Sequence, residues 1–222
     1  MKLIKNMNRA ELAAYIQEQL RESNIDVVLS GGSCVSIYSN NQYVSMDLDL
    51  VNNNIFPLKK KLVNASMNKI GFIKYDRHYI HPDTEIIVEF PLGPLAVGEE
   101  QISNINTIEL STGNLSIISP TDCVKDRLTW FYHDNDLQGL HQALLVAKSN
   151  QIDIAEVERW SKSEDKEEEF TKIKKELYRL QKPLRKDTSN EIKNMGRKIL
   201  QNKIKKEIIK SKNNLSSNKK KI

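Results

Sequence analysis

With 222 residues and two cysteines, the chain suits one medium domain with an appendage or two small domains, and it excludes a disulfide framework or a Cys-rich zinc site. No apolar run approaches the ~18 residues of a membrane span, and the start, MKLIKNMNRAEL, lacks the apolar core of a signal peptide, so the expected setting is a reducing cytoplasm with no membrane partner. The net charge of +5 conceals an asymmetry: residues 171–222 carry 18 Lys and Arg against 4 Asp and Glu, whereas residues 1–170 carry 16 basic and 25 acidic side chains. Such a basic end either meets nucleic acid or another anionic surface, or is a solvated, partly helical or disordered terminus.

In chain order, NRAELAAYIQEQLRES places Leu12, Tyr15, Ile16 and Leu20 at helical spacing, with Asn8 available as N-cap. IDVVLS is a short β-branched run ending at Gly31-Gly32, and SCVSIYS resumes as a helix, giving a strand-turn-helix unit. VSMDLDLV alternates Met46, Leu48 and Leu50 with Ser45, Asp47 and Asp49, so a strand here sends three apolar side chains to the core and three polar ones to the other face. NIFPLKKKLVNASMNKIGF reads as a helix stopped at Gly71. FIKYDRHYIHP and TEIIVEFP read as antiparallel strands joined at Pro82-Asp83. TIELS and LSIIS flank Thr112-Gly113-Asn114 as a hairpin. From Pro120 the chain is expected to be helical, with Trp130, Phe131, Tyr132 and Trp160 in the helical core, and only the end, SKNNLSSNKKKI, is biased enough to be expected disordered. The four histidines, His78, His81, His133 and His141, lack carboxylate or Cys partners at zinc-like spacing.

Two carboxylates at i and i+2 on a strand point the same way, close enough to share one divalent ion or bridge two. Glu89, set between Val88 and Phe90 in an apolar strand where an unpaired carboxylate is costly, is the natural third ligand, with Glu85 of the same parity in reserve. Such an oxygen-rich site suits Mg²⁺ or Mn²⁺, with phosphate supplying further ligands. The Gly31-Gly32-Ser33 turn lets backbone approach a ligand and aims a helix N-terminus at an anion, with the Ser33 hydroxyl as a further donor. A triphosphate held between such a turn and such acids is the arrangement for nucleotidyl transfer.

The succession LSGGS, SMDLDLV, IIVEF resembles the nucleotidyltransferase superfamily related to polymerase beta. Its pattern is Gly-Gly or Gly-Ser, a short helix, Asp-x-Asp or Asp-x-Glu, and a later acid. SPTDCVKDRLTWFYHDNDLQGLHQALLVAK is similar to the helical part of small bacterial nucleotidyltransferases of the abortive-infection and toxin type, and the likeness spans residues 8 to about 165. It implies an α+β nucleotidyltransferase fold, a mixed β-sheet flanked by helices and followed by a helical C-terminal region. The implied divisions are a catalytic domain over 1–119, a helical domain over 120–181 and a basic helical or disordered tail over 182–222.

The resemblance further implies Asp47, Asp49 and Glu89 as metal-binding catalytic acids, although Glu89 departs from the commoner Asp. Gly31, Gly32, Ser33, Ser45 and one or both of Lys125 and Arg127 are implied to hold the NTP or dNTP, and Asp136 and Gln138 are further polar candidates. Ser36, Tyr38 and Arg77 are within conceivable reach of a nucleotide. The expected enzyme transfers NMP or dNMP to a nucleic acid such as a tRNA 3′ end or an oligonucleotide, in a toxin-antitoxin or phage-defence setting with a protein partner encoded nearby. The alternatives are an enzyme that adds NMP to a protein, and a catalytically silent nucleotide-binding regulator or antitoxin.

Overall fold

The computed structural model describes residues 3–54, 57–181, 194 and 196–201. The opening helix, α1 (Arg9–Arg21), begins at an Asn8 capping box in which the Asn8 side chain accepts from the Glu11 N–H and Glu11 reaches back to the Asn8 N–H. Leu12, Ile16 and Leu20 are fully buried, as the periodicity required. β1 (Val27–Ser30) runs directly into α2 (Gly31–Tyr38), so Gly31 and Gly32 are the first turn of the helix and not a loop before it. β2 (Asp47–Asn52) buries Leu48 and Leu50 as expected. Met46 does not join them: the strand starts one residue later, and this side chain stays 62% exposed.

After α3 (Lys60–Lys69), the first strand of the expected pair is divided by a turn at Asp76, whose φ is +53°, into β3 (Ile73–Tyr75) and β4 (His78–His81). β4 pairs with β5 (Thr84–Glu89) through the Pro82-Asp83 turn. A small hairpin, β6 (Ala96–Val97) and β7 (Glu100–Gln101), precedes β8 (Ile105–Leu110) and β9 (Gly113–Ile118). The last two form the expected hairpin, closed by Ser111-Thr112.

The seven long strands form one mixed sheet in the order β3-β4-β5-β2-β1-β9-β8. β2 is antiparallel to β1 and parallel to β5, and β1 is parallel to β9. The helix α1 packs on β9, where the Gln17 amide serves as a substitute strand partner: it donates to the Ser116 carbonyl (2.8 Å) and accepts from the Ser116 N–H (2.7 Å). Four helices follow: α4 (Pro120–Asp134), α5 (Leu137–Ser149), α6 (Ile154–Ser163) and α7 (Glu167–Gln181). α2 packs against α4 and α5, which brings the helical part of the chain onto the sheet. Phe131, Tyr132 and Trp160 are buried, but Trp130, about 100° round α4 from Phe131, is 51% exposed. The fold is α+β with a mixed, helix-flanked sheet followed by helices. No helix among the described residues is long and apolar enough to cross a membrane.

The tail expected over 182–222, including the biased end, lies outside the described residues except for 194 and 196–201. Residues 196–201 are helical; Gly196 lies against Leu137 and Leu140 of α5, and Ile199 packs on the core.

Candidate active site

Asp47 and Asp49 share one face of β2, and the parallel register places Glu89 of β5 directly opposite Asp49. On the other side Asp49 is opposite Ser30, the last residue of β1. The sheet order therefore puts the two aspartates and Glu89 on neighbouring strands beside the start of α2. Burial, then Asp47, then Glu89 raise the Asp49 carboxyl to about 7, while Arg127 pulls the other way and Asp126 adds to the rise. The reserve acid, Glu85, is exposed near the start of β5.

Gly31 has φ +70°, and a side chain there would overlap the Asp49 carboxylate. A Cβ on Gly32 would stand 2.7 Å from the Ser45 hydroxyl and 3.6 Å from the Tyr43 ring. Gly31 thus lets the first turn of α2 meet Asp49, and Gly32 lets it meet Ser45 and Tyr43. Ser30, the N-cap, makes no side-chain cap bond, which leaves the N–H groups of that turn without a partner from it. The Ser33 hydroxyl is fully buried, donating to the Asp47 carbonyl and accepting from Arg9 (2.9 Å). The hydroxyl expected from sequence to meet an anion is thus engaged within the protein. The Ser45 hydroxyl donates to Asp47 Oδ1.

The two basic candidates on α4 face different ways, as residues two apart on a helix must. Arg127 is held by Asp126 (Nε to Oδ2, 2.9 Å) and Gln142 (3.3 Å), within electrostatic reach of Asp49. Lys125 is turned into a separate polar cleft of about 770 Å³. Its ammonium lies 2.9 Å from Asp122, 3.1 Å from Glu156 and 3.6 Å from Glu100. There it ties α4 to α6 and to β7. Ser36 and Tyr38 are also engaged elsewhere. The Ser36 hydroxyl donates to the Gly32 carbonyl (3.3 Å) and accepts from the Ser45 N–H (2.9 Å), and the Tyr38 hydroxyl donates to the Ile118 carbonyl (2.7 Å). Arg77, in the β3-β4 turn, stands 3.8 Å from Glu89. Asp136 caps α5 by accepting from the Gln138 N–H, and the Gln138 amide reaches the Tyr43 hydroxyl at 3.5 Å.

Sequence reasoning missed two residues. Arg9, the first residue of α1, donates to Ser33 Oγ, to the Asp47 carbonyl (3.3 Å) and to the Ser45 carbonyl. Burial lowers its pKa, opposed by Asp47 and Tyr43. Tyr43 borders the glycine turn. Nothing in helical periodicity marks an arginine at a helix start as part of a distant strand's surroundings, and Tyr43 lies outside every regular element.

The donor chemistry suits a hard divalent cation: three carboxylates on two adjacent strands, one of them raised to about 7, first by burial and then by the other two. Among the described residues no three such side chains converge as an assembled cluster. Asp47 Oδ1 accepts from Ser45, and Glu89 leans towards Arg77.

No protein-family model matches the chain, and no curated protein matches it. Among solved structures it is similar to the crystal structure of ANT(2")-Ia in complex with adenylyl-2"-tobramycin, at 12% identity over 71% of this chain and 93% of that one, with a TM-score of 0.42. It is also similar to the solution structure of the antibiotic-resistance factor ANT(2'')-Ia, at 14% identity over 74% and 92% of the two chains, with a TM-score of 0.41. Likenesses this distant leave the chemistry to be read from the side chains themselves.

Proposed function

We propose that the chain is a nucleotidyltransferase of the superfamily related to polymerase beta, transferring NMP or dNMP from a nucleoside triphosphate to a nucleic-acid acceptor. One observation carries the reading: Asp47 and Asp49 on β2, with Glu89 in register on β5, stand against a glycine turn that opens a helix. Asp47, Asp49 and Glu89 would hold Mg²⁺ or Mn²⁺, which when bound would neutralise phosphate charge and lower the pKa of an attacking hydroxyl. The N–H groups of Gly31, Gly32 and Ser33 receive phosphate oxygens at the positive end of α2. Arg127, braced by Asp126 and Gln142, supplies the nearest fixed cation on α4. Glu89 faces the acceptor hydroxyl as proton acceptor. The hydroxyl oxygen bonds to the α-phosphorus, the bond to the bridging oxygen breaks, and pyrophosphate leaves with that electron pair.

In this reading residues 1–119 are the catalytic domain and 120–181 a helical domain that supplies Arg127. The acceptor is assigned from charge: residues 182–222 carry 14 Lys and Arg against 3 acids, on a remainder with 20 basic and 26 acidic residues. A toxin-antitoxin or phage-defence setting, with a partner encoded nearby, accompanies the sequence resemblance. The test is to incubate the protein with each labelled NTP and dNTP and Mg²⁺ or Mn²⁺, with and without RNA, and to resolve the products on a gel. RNA-dependent labelling that vanishes in Asp47→Ala supports the reading. Labelling of the protein itself redirects it to a protein acceptor, and nucleotide binding without any product identifies a silent binder.

A further inference from the structure

The pairing of β1 with β2 ends at Ser30 and Asp49, because the chain leaves the sheet at Gly31 to form α2. Residues 45–47, which carry the chain into the first candidate ligand, therefore have no strand on that side. On the opposite side the Met46 carbonyl accepts from the Ile87 N–H of β5 (3.1 Å), so the carbonyls of Ser45 and Asp47, one residue to either side, point towards the missing strand. Arg9 fills this gap. One guanidinium nitrogen donates to Ser33 Oγ and to the Asp47 carbonyl, and the other donates to the Ser45 carbonyl. Ser33 in turn donates to the same Asp47 carbonyl.

We propose that Arg9 is a positioning residue for the candidate metal ligands: its guanidinium replaces the absent strand along residues 45–47 and fixes Asp47 against the first turn of α2. The inference rests on the metal-dependent reading of Asp47. It explains why an arginine stands here. Two carbonyls two residues apart and a hydroxyl from another element need a flat fork with donors in several directions, which a lysine ammonium on a single stem does not supply. It also links α1, which packs chiefly on β9 two strands from β2, to the geometry of the acids.

A purely electrostatic role and a positioning role predict opposite metal affinities. Arg9 is a cation beside Asp47, so if charge alone mattered, Arg9→Gln would bind a divalent cation more tightly and Arg9→Lys would bind it unchanged. If Arg9 positions Asp47, both variants bind more weakly, by about 10-fold to 100-fold, as for other groups that orient metal ligands.

The experiment titrates the full-length protein, Arg9→Lys, Arg9→Gln, Arg9→Ala and Asp47→Asn with Mn²⁺ alone, following free Mn²⁺ by electron paramagnetic resonance. Circular dichroism confirms the fold of each, and Arg9→Lys is the decisive variant should Arg9→Gln melt. Weaker Mn²⁺ binding by folded Arg9→Lys, and recovery of Mn²⁺ affinity in Arg9→Ala on adding methylguanidinium, are the expected results. Binding by Arg9→Lys equal to the unaltered protein, with Asp47→Asn deficient, overturns the role of Arg9 alone. Undiminished binding by Asp47→Asn overturns the metal-ligand reading beneath it.

Discussion

Replacing Asp49 by Asn should stabilise the ion-free protein while destroying its activity. The folded carboxyl is raised from 3.8 to about 7, chiefly by burial and then by Asp47 and Glu89, with Asp126 acting in the same direction and Arg127 opposing. Because the folded value lies above the unfolded one, the stability from keeping Asp49 protonated is complete below pH about 4 and is lost as the pH rises to 7. At 1.36 kcal/mol per unit the loss approaches roughly 4 kcal/mol above pH 7, an upper figure. An Asn at this position stays neutral at every pH. The difference in unfolding free energy between Asp49→Asn and the unaltered protein, measured by urea titration in EDTA from pH 4 to 8, should grow between pH 4 and 7 and then level off. Added Mg²⁺ should narrow the gap above pH 7 by stabilising only the unaltered protein. A pH-independent difference, or an unaltered protein that gains on the variant as the pH rises, would refute the account of Asp49.

Asp47→Ala should retain the fold and lose transfer by orders of magnitude; activity within tenfold of normal removes the metal reading. Glu89→Gln should be strongly defective and Glu85→Gln mildly so, the order checked by initial rates. Gly31→Ala should lose about 1 to 3 kcal/mol of stability, since φ is +70°, and should lose activity because the new methyl displaces the Asp49 carboxylate. Lys125→Met should lower the melting transition by leaving the buried Asp122 carboxylate without its cation, while Glu156 keeps Arg159, with nucleotide binding preserved. Arg127→Met should impair transfer more than Lys125→Met, and the reverse order in a transfer assay would reassign the two.

Elements whose burial is periodic along the chain were legible: α1 with its Asn8 cap, the Asp47/Asp49 face of β2, the β4-β5 and β8-β9 hairpins, and the four helices from Pro120. The misses share a cause. β6 and β7 have two residues each, too few to show any period. Trp130 and Met46 were assigned to the core by their apolarity, but a helix turn and a strand start decided their exposure. At the site, the acids were visible because local alternation aligns them. The engagement of the Ser33 hydroxyl and the reach of Arg9 depend on segments brought together only by the sheet order, and which of Lys125 and Arg127 approaches the acids depends on how α4 docks against its neighbours.

The basic end calls for a test that respects how it is attached. A cut near Glu169 would remove Phe170, Ile173 and Leu177 of α7, all of them buried, and so would perturb the packing of the body as well as its charge. A cut after Gln181 keeps α7 but uncovers Leu137 and Leu140, on which Gly196 rests. Substitution separates charge from packing better than truncation does. Changing Lys203, Lys205, Lys206, Lys210, Lys212, Lys219, Lys220 and Lys221 to Gln leaves Gly196 and Ile199 in place. Each lysine that meets a phosphate contributes about 0.7 to the slope of log affinity against log salt for a single strand. Titrating a labelled single strand at several salt concentrations should therefore give a flatter slope for the substituted chain, with Mn²⁺ binding unchanged. The body's acidic excess should leave it a poor binder of long acceptors. Equal slopes for the two proteins would assign the basic end to solubility or packing and would withdraw the main ground for a nucleic-acid acceptor.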